Sequence, residues 1–227
     1  MKKTIQKNSE RGKFKNEWLD THYSFSFSNY YNPKRLGFGK LLVLNDDIIK
    51  PLQGFPMHSH NNMEIITIIL EGTLEHKDNM NNIGRIEENE IQMMSAGTGI
   101  MHSEYNPSKT KETKLLQIWI KPSEEDIDPR YEQKKIKLKE NELNLIVTSK
   151  DIKQDTKLYL GEFKEEKEFS YKTEKDKGIF IFVIEGKIEV ESCILNERDS
   201  IEITETDEIN IKTQKNSKIL IIETDLI

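Results

Sequence analysis

The sequence of 227 residues predicts an all-β protein with two antiparallel β-sandwich or barrel domains in tandem. Short apolar segments follow one another at intervals of about 8 to 12 residues with turn residues between them, which is typical of such folds. Isoleucine is abundant, whereas alanine, the best helix former, occurs once, so the composition favours strands over helices. The length allows one large domain or two small ones, and a weak internal repeat favours two.

The first half contains the clearest strand patterns. Residues 23–28, YSFSFS, alternate apolar and polar side chains and predict a strand with one apolar face. Residues 37–47, GFGKLLVLNDD, predict a second strand that ends in an Asn-Asp-Asp turn. Further strands are predicted between turn signals at MEIITIILEG (63–72), TLEHKD (73–78), EIQMMS (90–95), HSEYN (102–106) and KLLQIWI (114–120).

The segment 121–142 is dense in charge and contains two prolines, so we expect it to be a solvent-exposed connection between the domains. We therefore divide the chain into domains at 1–125 and 126–227, with a short linker at the junction. The internal repeat consists of IILEGTLE at 68–75 and FVIEGKIE at 182–189, each predicting a strand, a Glu-Gly turn and a strand. The second half continues with LNLIVTS, KLYLGEF, FSYKTE, GIFIFVIEG, KIEVESC, SIEITE, EINIKT and KILIIET.

The charge and hydropathy patterns exclude several classes of function. Lys and Arg total 34 against 40 Asp and Glu, so the chain lacks the basic surface of a nucleic-acid-binding protein. The first twenty residues contain no apolar leader, and apolar runs such as IITIIL at 65–70 are far too short to cross a bilayer. The single cysteine, Cys193, rules out an intrachain disulfide and suits a reducing compartment. We expect a cytoplasmic protein without direct nucleic-acid or membrane partners.

All five histidines, which are candidate metal ligands, lie in the first half of the chain. The chain contains His22, His58, His60, His76 and His102. His58 and His60 are two residues apart on a predicted strand, so both side chains point to one face, and His102 and Glu104 share this relation on another strand. Two such pairs can converge inside a barrel. If the first strand continues without a bulge, Glu64 shares the face of His58 and His60 and competes with Glu104 as the fourth ligand.

Three neutral imidazoles and one carboxylate form a donor set for one divalent metal ion. Such a set leaves positions open on an octahedral ion, as a catalytic site requires. It favours Fe(II), with Mn, Co, Ni, Cu or Zn as alternatives. His76 fits a supporting or core role better than ligation. The nearby methionines, including Met57, Met93, Met94 and Met101, are expected to fill the core or, as an alternative, to form the apolar wall of a substrate pocket.

The segment GFPMHSHNNMEIITIILEGTLEHKD, followed by IQMMSAGTGIMHSE, resembles the pirin branch of the cupin superfamily. The flanking segments WLDTHYSFSFSNYYNPKRLGFGKLLVLNDD and LQIWIKPSEEDIDPRYEQ extend the similarity from residue 18 to about residue 133. The resemblance implies two jelly-roll cupin domains with the metal, iron, in the N-terminal one. It assigns the ligand roles to His58, His60, His102 and Glu104, and so favours Glu104 over Glu64.

The resemblance also implies a metal-dependent dioxygenase that opens the ring of a flavonol such as quercetin, with O2 as the second substrate. In this interpretation Glu104 either stays a metal ligand or accepts the substrate proton as a general base. The alternative, from another class, is an iron-containing regulatory module whose redox state controls binding to a protein partner. A third hypothesis is a non-oxidative cupin such as an isomerase.

The second half contains no histidine, so it cannot build the same site. The internal repeat places Lys172 and Glu174 where the first half has His58 and His60. We therefore expect the C-terminal cupin domain, 126–227, to lack metal ligands and to act as a structural element or a partner surface.

Overall fold

The computed structural model describes residues 1–174 and 176–226, which form antiparallel strands and one short 3-10 helix, Asn8–Glu10. The first half contributes β1 (Lys2–Gln6), β2 (Gly12–Lys15), β3 (Leu19–Tyr23), β4 (Leu41–Ile49), β5 (Gly54–His60), β6 (Glu64–Glu71), β7 (Thr73–Asp78), β8 (Ile83–Glu87), β9 (Glu90–Ser95), β10 (Ile100–Tyr105) and β11 (Thr113–Ile120). The rest contributes β12 (Arg130–Lys135), β13 (Leu143–Val147), β14 (Lys157–Phe163), β15 (Lys167–Lys172), β16 (Lys177–Glu185), β17 (Lys187–Val190), β18 (Cys193–Asn196), β19 (Ser200–Thr204), β20 (Glu208–Thr213) and β21 (Ser217–Asp225). The all-β prediction is confirmed. Within the described ranges, no helix has the length and apolar character needed to cross a membrane.

The strands form two barrels, each made of a large sheet and a four-stranded sheet. In the first barrel the large sheet has the order β12-β9-β6-β11-β4-β3-β2 and the small sheet β5-β10-β7-β8. In the second the orders are β1-β19-β16-β21-β14-β13 and β15-β20-β17-β18. Apolar side chains of both sheets meet inside each barrel, as Leu74 and Ile86 of the small sheet do with Ile69 and Leu115 of the large one. The prediction of two tandem β-sandwich or barrel domains is confirmed.

The internal repeat is visible in the turn that joins the two sheets of each barrel. Gly72 follows β6 and Gly186 follows β16, and their φ angles are 84° and 78°. A Cβ atom at Gly72 would lie 2.6 Å from the carbonyl oxygen of Glu112, and one at Gly186 would lie 2.7 Å from that of Asn216. Because both the backbone angle and the space exclude a side chain, each turn requires glycine.

The two barrels exchange an edge strand. β1, from the N-terminal end of the chain, pairs with β19 of the second barrel. β12, from the predicted linker, pairs with β9 of the first barrel. A single boundary between residues 125 and 126 therefore does not describe the sheets, since each barrel contains one strand from the other side of it. The segment expected to be a solvated connection forms a strand because β9 otherwise offers an unpaired edge.

The two large sheets pack back to back, so both of their faces are buried. One hydrophobic cluster joins the barrels and includes Leu44, Ile66, Ile118, Phe180, Phe182 and Leu220. This packing explains the uninterrupted apolar runs of β6 and β16, because a strand covered on both faces needs no polar alternation. Alternate residues of the first barrel's large sheet thus point either to the second barrel or into their own barrel.

Two strand predictions in the first half are wrong in detail. The strand predicted at 23–28 ends at Tyr23, and the following residues form a loop that buries Phe25. The Asn-Asp-Asp sequence at 45–47 does not form a turn but lies inside β4.

The polar sequence of β4 is tolerated because its two faces meet different partners. Asp46 points toward the junction of the barrels, where its Oδ2 atom lies 3.2 Å from Nη1 of Arg11. Asn45 and Asp47 point into the first barrel and line its cavity. The Asn-Asp-Asp sequence therefore supplies polar side chains to both faces of a buried strand.

Candidate metal centre

Three histidines meet inside the first barrel. His58 and His60 lie on β5, and His102 lies directly opposite His58 on the neighbouring strand β10. The ring centroids are 4.4 Å apart for His58 and His102, 4.8 Å for His58 and His60, and 4.9 Å for His60 and His102. The ligand nitrogens of the three rings all lie within 4.8 Å of one another. The structure thus brings together three of the four predicted ligands.

A hydrogen-bond chain fixes the tautomer of His102. The Nε2 atom of Gln92 donates to Nδ1 of His76 at 3.3 Å, so this nitrogen is an acceptor and the Nε2–H of His76 donates to Asp78 at 3.1 Å. The Nδ1 atom of His102 lies 3.4 Å from the same nitrogen, so in a hydrogen bond between the two rings Nδ1–H of His102 is the donor and shares the single lone pair with Gln92. The buried Nε2 atom of His102 keeps its lone pair and has no partner among the described residues. His76 thus has the supporting role that we predicted for it.

His58 is oriented in the same way. Its Nδ1 atom lies 2.8 Å from the carbonyl oxygen of Pro56, which can only accept, so Nδ1–H donates and Nε2 is free for a ligand. Burial and the neighbouring His58 lower the pKa of His60 to about 4. Burial, followed by the other three rings, lowers the pKa of His102 to about 2. At neutral pH these two imidazoles are uncharged, so the donor set fits a divalent metal ion.

Glu104 lines the same cavity, but among the described residues it lies outside the group of mutually close nitrogens. Its carboxylate accepts two hydrogen bonds from Nε2 of Gln117, at 3.2 and 3.1 Å. Oε1 of Gln117 in turn accepts a hydrogen bond from the hydroxyl of Thr67 at 3.1 Å. Burial raises the pKa of Glu104. The structure therefore holds Glu104 beside the histidines on a separate support.

Glu64 does not join the histidines. The parity argument assumed one continuous strand, but the chain turns between β5 and β6, where Asn62 has a φ of 45°. Glu64 then lies on the large sheet and accepts a hydrogen bond from Oγ of Ser95 at 2.7 Å. It is not among the residues that line the cavity.

The histidines open into a cavity of about 270 Å³. Its wall is mainly apolar and is formed by Phe27, Phe55, Ile65 and Trp119, with Asn45, Asp47 and Gln117 as polar members. The ring of Trp119 packs edge to face on His60, with centroids 4.8 Å apart. Such a space suits a flat, largely apolar ligand held next to the imidazoles.

The methionine predictions divide into two groups. Met93 and Met94 are buried and fill the core, as expected. Met57 and Met101 are 49% and 45% exposed, so the prediction of core filling is wrong for them. Each precedes a histidine of the cluster by one residue, and strand alternation turns it to the outer face. No methionine is among the residues that line the cavity.

Sequence reasoning missed the polar and aromatic residues that line the cavity beside the four predicted ligands. Asn45 and Asp47 were hidden because their sequence predicts a turn, and Trp119 is indistinguishable from a core residue. Gln117 gives a usable signal, because one amide inside the apolar strand KLLQIWI needs a buried partner.

The family profile described as Pirin matches residues 4–120. The profile described as Quercetinase C-terminal cupin domain matches residues 147–224. The two matches fall on the first and the second barrel, in that order along the chain.

Similar proteins extend over the whole chain. The quercetin 2,3-dioxygenase of Escherichia coli strain K12 is 38% identical over 224 residues, which cover 96% of this chain and 97% of the relative. A pirin-like protein of Caulobacter vibrioides is 32% identical over 215 residues, covering 91% of this chain and 92% of the relative. The crystal structure of bacterial pirin YhhW from Escherichia coli in complex with nickel(II) superposes with a TM-score of 0.95 at 36% identity, covering 100% of both chains.

Proposed function

Because this chain belongs to the pirin family, we propose that it is a metal-dependent dioxygenase of the quercetin 2,3-dioxygenase type, which opens the ring of a flavonol with O2. One observation carries the proposal: the ligand nitrogens of three histidines meet inside the barrel and open into a cavity with a mainly apolar wall. A relative that is similar over the whole chain bears the name of this activity.

We assign the metal to His58, His60 and His102, with Glu104 as the fourth ligand. Fe(II) is the proposed ion, because three nitrogens and one hard oxygen suit it, and Ni(II) is the first alternative since the pirin YhhW binds nickel. When bound, the metal would polarise oxygen atoms of the substrates. The proposal includes a cytoplasmic, reducing setting, which suits a ferrous ion and the unpaired Cys193.

The protein residues of the cavity bind the substrate and move its proton. Phe55, Ile65 and Trp119 cover the faces of a flat ring system and exclude water from it. Glu104 either remains a ligand or accepts the proton of the substrate hydroxyl on a carboxylate oxygen, with the amide of Gln117 holding that group in place.

The test is aerobic turnover of quercetin by protein loaded separately with Fe(II), Ni(II), Mn(II), Co(II), Cu(II) or Zn(II). We expect flavonol absorbance to fall with uptake of one O2 per flavonol, and metal-free protein to be inactive. Consumption without O2 uptake would indicate an isomerase-type reaction. No consumption with any metal would contradict the proposal and favour the alternative of an iron-containing regulatory module with a protein partner.

A further inference from the structure

Two polar side chains of the cavity have no assigned role. Asn45 and Asp47 lie on β4 and are 4% and 3% exposed. Both line the cavity. The Oδ1 atom of Asn45 has no hydrogen-bond partner among the described residues. Oδ1 of Asp47 is also unpartnered, although the hydroxyl of Thr21 on the neighbouring strand lies beside this carboxyl group and acts to lower its pKa. Of the other polar groups there, Glu104 and Gln117 bond to each other, and the histidines are the proposed metal ligands. The buried Nε1–H of Trp119 is a donor that also has no partner among the described residues.

Unpartnered buried oxygens are uncommon, because burying an acceptor without a donor lowers stability. A fold can retain such groups where a ligand supplies the missing donors. Asn45 and Asp47 therefore indicate a ligand that brings hydrogen-bond donors into this part of the cavity. Asp47 suits such a partner, because burial raises its pKa to about 7 and its carboxyl group can accept in either protonation state near neutral pH.

The position of the two residues says which part of the ligand they meet. They belong to the large sheet, whereas His58, His60 and His102 belong to the small sheet. Residues two apart on one strand point to the same face, with Cα atoms about 6.6 Å apart. A ligand held at the histidines therefore meets two acceptors in a row on the other sheet.

We propose that Asn45 and Asp47 bind hydroxyl groups on the ring of the flavonol that is remote from the metal, so that they select polyhydroxylated flavonols. This inference rests on the proposed function. Phenolic hydroxyls are strong donors, and an aromatic ring carries them at fixed positions, which suits a pair of acceptors fixed on a strand. Flavonols without these hydroxyls would leave both oxygens unpaired and bind more weakly.

The experiment compares quercetin with 3-hydroxyflavone, which keeps the 3-hydroxyl and 4-carbonyl groups but lacks the other four hydroxyls. Binding to metal-loaded protein is measured without O2 by quenching of tryptophan fluorescence, since Trp119 lines the cavity. We expect Asn45→Leu and Asp47→Leu each to weaken quercetin binding about tenfold, which is the loss expected for one hydrogen bond. Binding of 3-hydroxyflavone should change by less than about twofold, because it makes neither hydrogen bond.

Asp47→Asn keeps an acceptor oxygen at the same place and should lose less than Asp47→Leu, which makes the series informative even if the leucine variant folds poorly. Tyr159→Phe in the second barrel is the control and should alter neither titration. Equal losses for both flavonols, or no loss for quercetin, would overturn the inference.

The same proteins separate this inference from the proposed function. Preference for quercetin that disappears in the variants, without turnover in air, would contradict only the dioxygenase proposal. Turnover of both flavonols at a ratio that the variants leave unchanged would contradict only the role of Asn45 and Asp47.

Discussion

The two barrels share one strand order, apart from β2 at the edge of the first, and have opposite interiors. In the first, His58 and His102 face each other on β5 and β10. In the second, the corresponding strands pair Tyr171 with Ile209. The equivalence extends to the supporting residues, whose second-barrel counterparts are Ile211 for Glu104, Val190 for His76 and Ile221 for Gln117. The fold therefore accepts either a polar, ligand-ready interior or a packed apolar one, and the function lies in the side chains.

The comparison also corrects our assignment of Lys172 and Glu174 as counterparts of the histidine pair. His58 precedes Gly72 by 14 positions, whereas Tyr171, which lies opposite Ile209, precedes Gly186 by 15 positions. Counting along the sequence therefore lands one residue too far, on the exposed Lys172, while the buried structural counterpart of His58 is Tyr171.

The largest expected contrast comes from truncating two residues at equivalent positions, His102 in the first barrel and Ile209 in the second. His102→Ala should abolish turnover and weaken metal binding by more than about 100-fold, because even groups that only support a ligand contribute about 10 to 100-fold. Ile209→Ala should retain metal and lose about 2 to 5 kcal/mol of stability through a core cavity. Metal analysis and thermal unfolding measure the two effects. Turnover by metal-free His102→Ala would contradict the role of His102 as a ligand of a catalytic metal.

Glu104→Gln tests whether the carboxylate serves in catalysis. We expect turnover to fall about 10² to 10⁴-fold because the proton acceptor is lost, while the three histidines retain metal. Glu223→Gln is the control, since this glutamate is buried in the second barrel and accepts a hydrogen bond from Tyr171 at 2.9 Å. It should leave turnover unchanged. Unaltered turnover in Glu104→Gln would show that the carboxylate has no catalytic role.

His76→Phe tests whether the hydrogen-bonding contact between His76 and His102 supports metal binding. A phenyl ring can still stack on Tyr131, whose ring centroid lies 4.6 Å from that of His76, but it cannot accept the Nδ1 proton. Metal affinity should fall about 10 to 100-fold. His76→Gln restores an acceptor and should recover part of this loss in a metal titration. Equal affinities for the two variants would mean that His76 acts only by packing.

The smallest expected effect is a pH dependence of the metal-free protein. Burial lowers the pKa of folded His60 to about 4, whereas the unfolded chain binds the proton near 6.5. The unfolded state therefore binds more protons between these values, and stability falls as the pH drops from 6.5 toward 4, by at most about 1.4 kcal/mol per pH unit. Denaturant unfolding should show a steeper slope in wild type than in His60→Gln, and the remaining slope in the variant comes from His102, whose pKa is lowered to about 2. If the free energy of unfolding fell equally with pH in both proteins, the lowered pKa of His60 would be contradicted.

The histidine cluster follows from the sequence because it depends on two local rules, strand parity and the antiparallel return of the chain. The position of Glu64 does not follow, because it depends on a turn at Asn62 that the parity argument ignores. The roles of Asn45 and Asp47 were equally hidden, since a polar run predicts a turn wherever the sheet that would bury it is unknown. The architecture and the meeting of three histidines were thus predictable, and the opposite wall of the cavity was not.

The same reasoning explains why the exchanged strands β1 and β12 were missed. Both are rich in lysine or other polar residues and lie at sheet edges, where pairing depends on a distant strand rather than on an apolar pattern. Neither has a local signal that distinguishes it from a loop.

Because the barrels exchange strands, we expect that neither half of the chain folds on its own. A fragment cut after residue 125 would leave the first barrel without β12, would expose the edge of β9, and would uncover the apolar back of its large sheet. The complementary fragment would lack β1 and suffer in the same way at β19. The histidine-free barrel therefore stabilises the barrel that contains the histidines. We expect both to unfold in a single thermal transition.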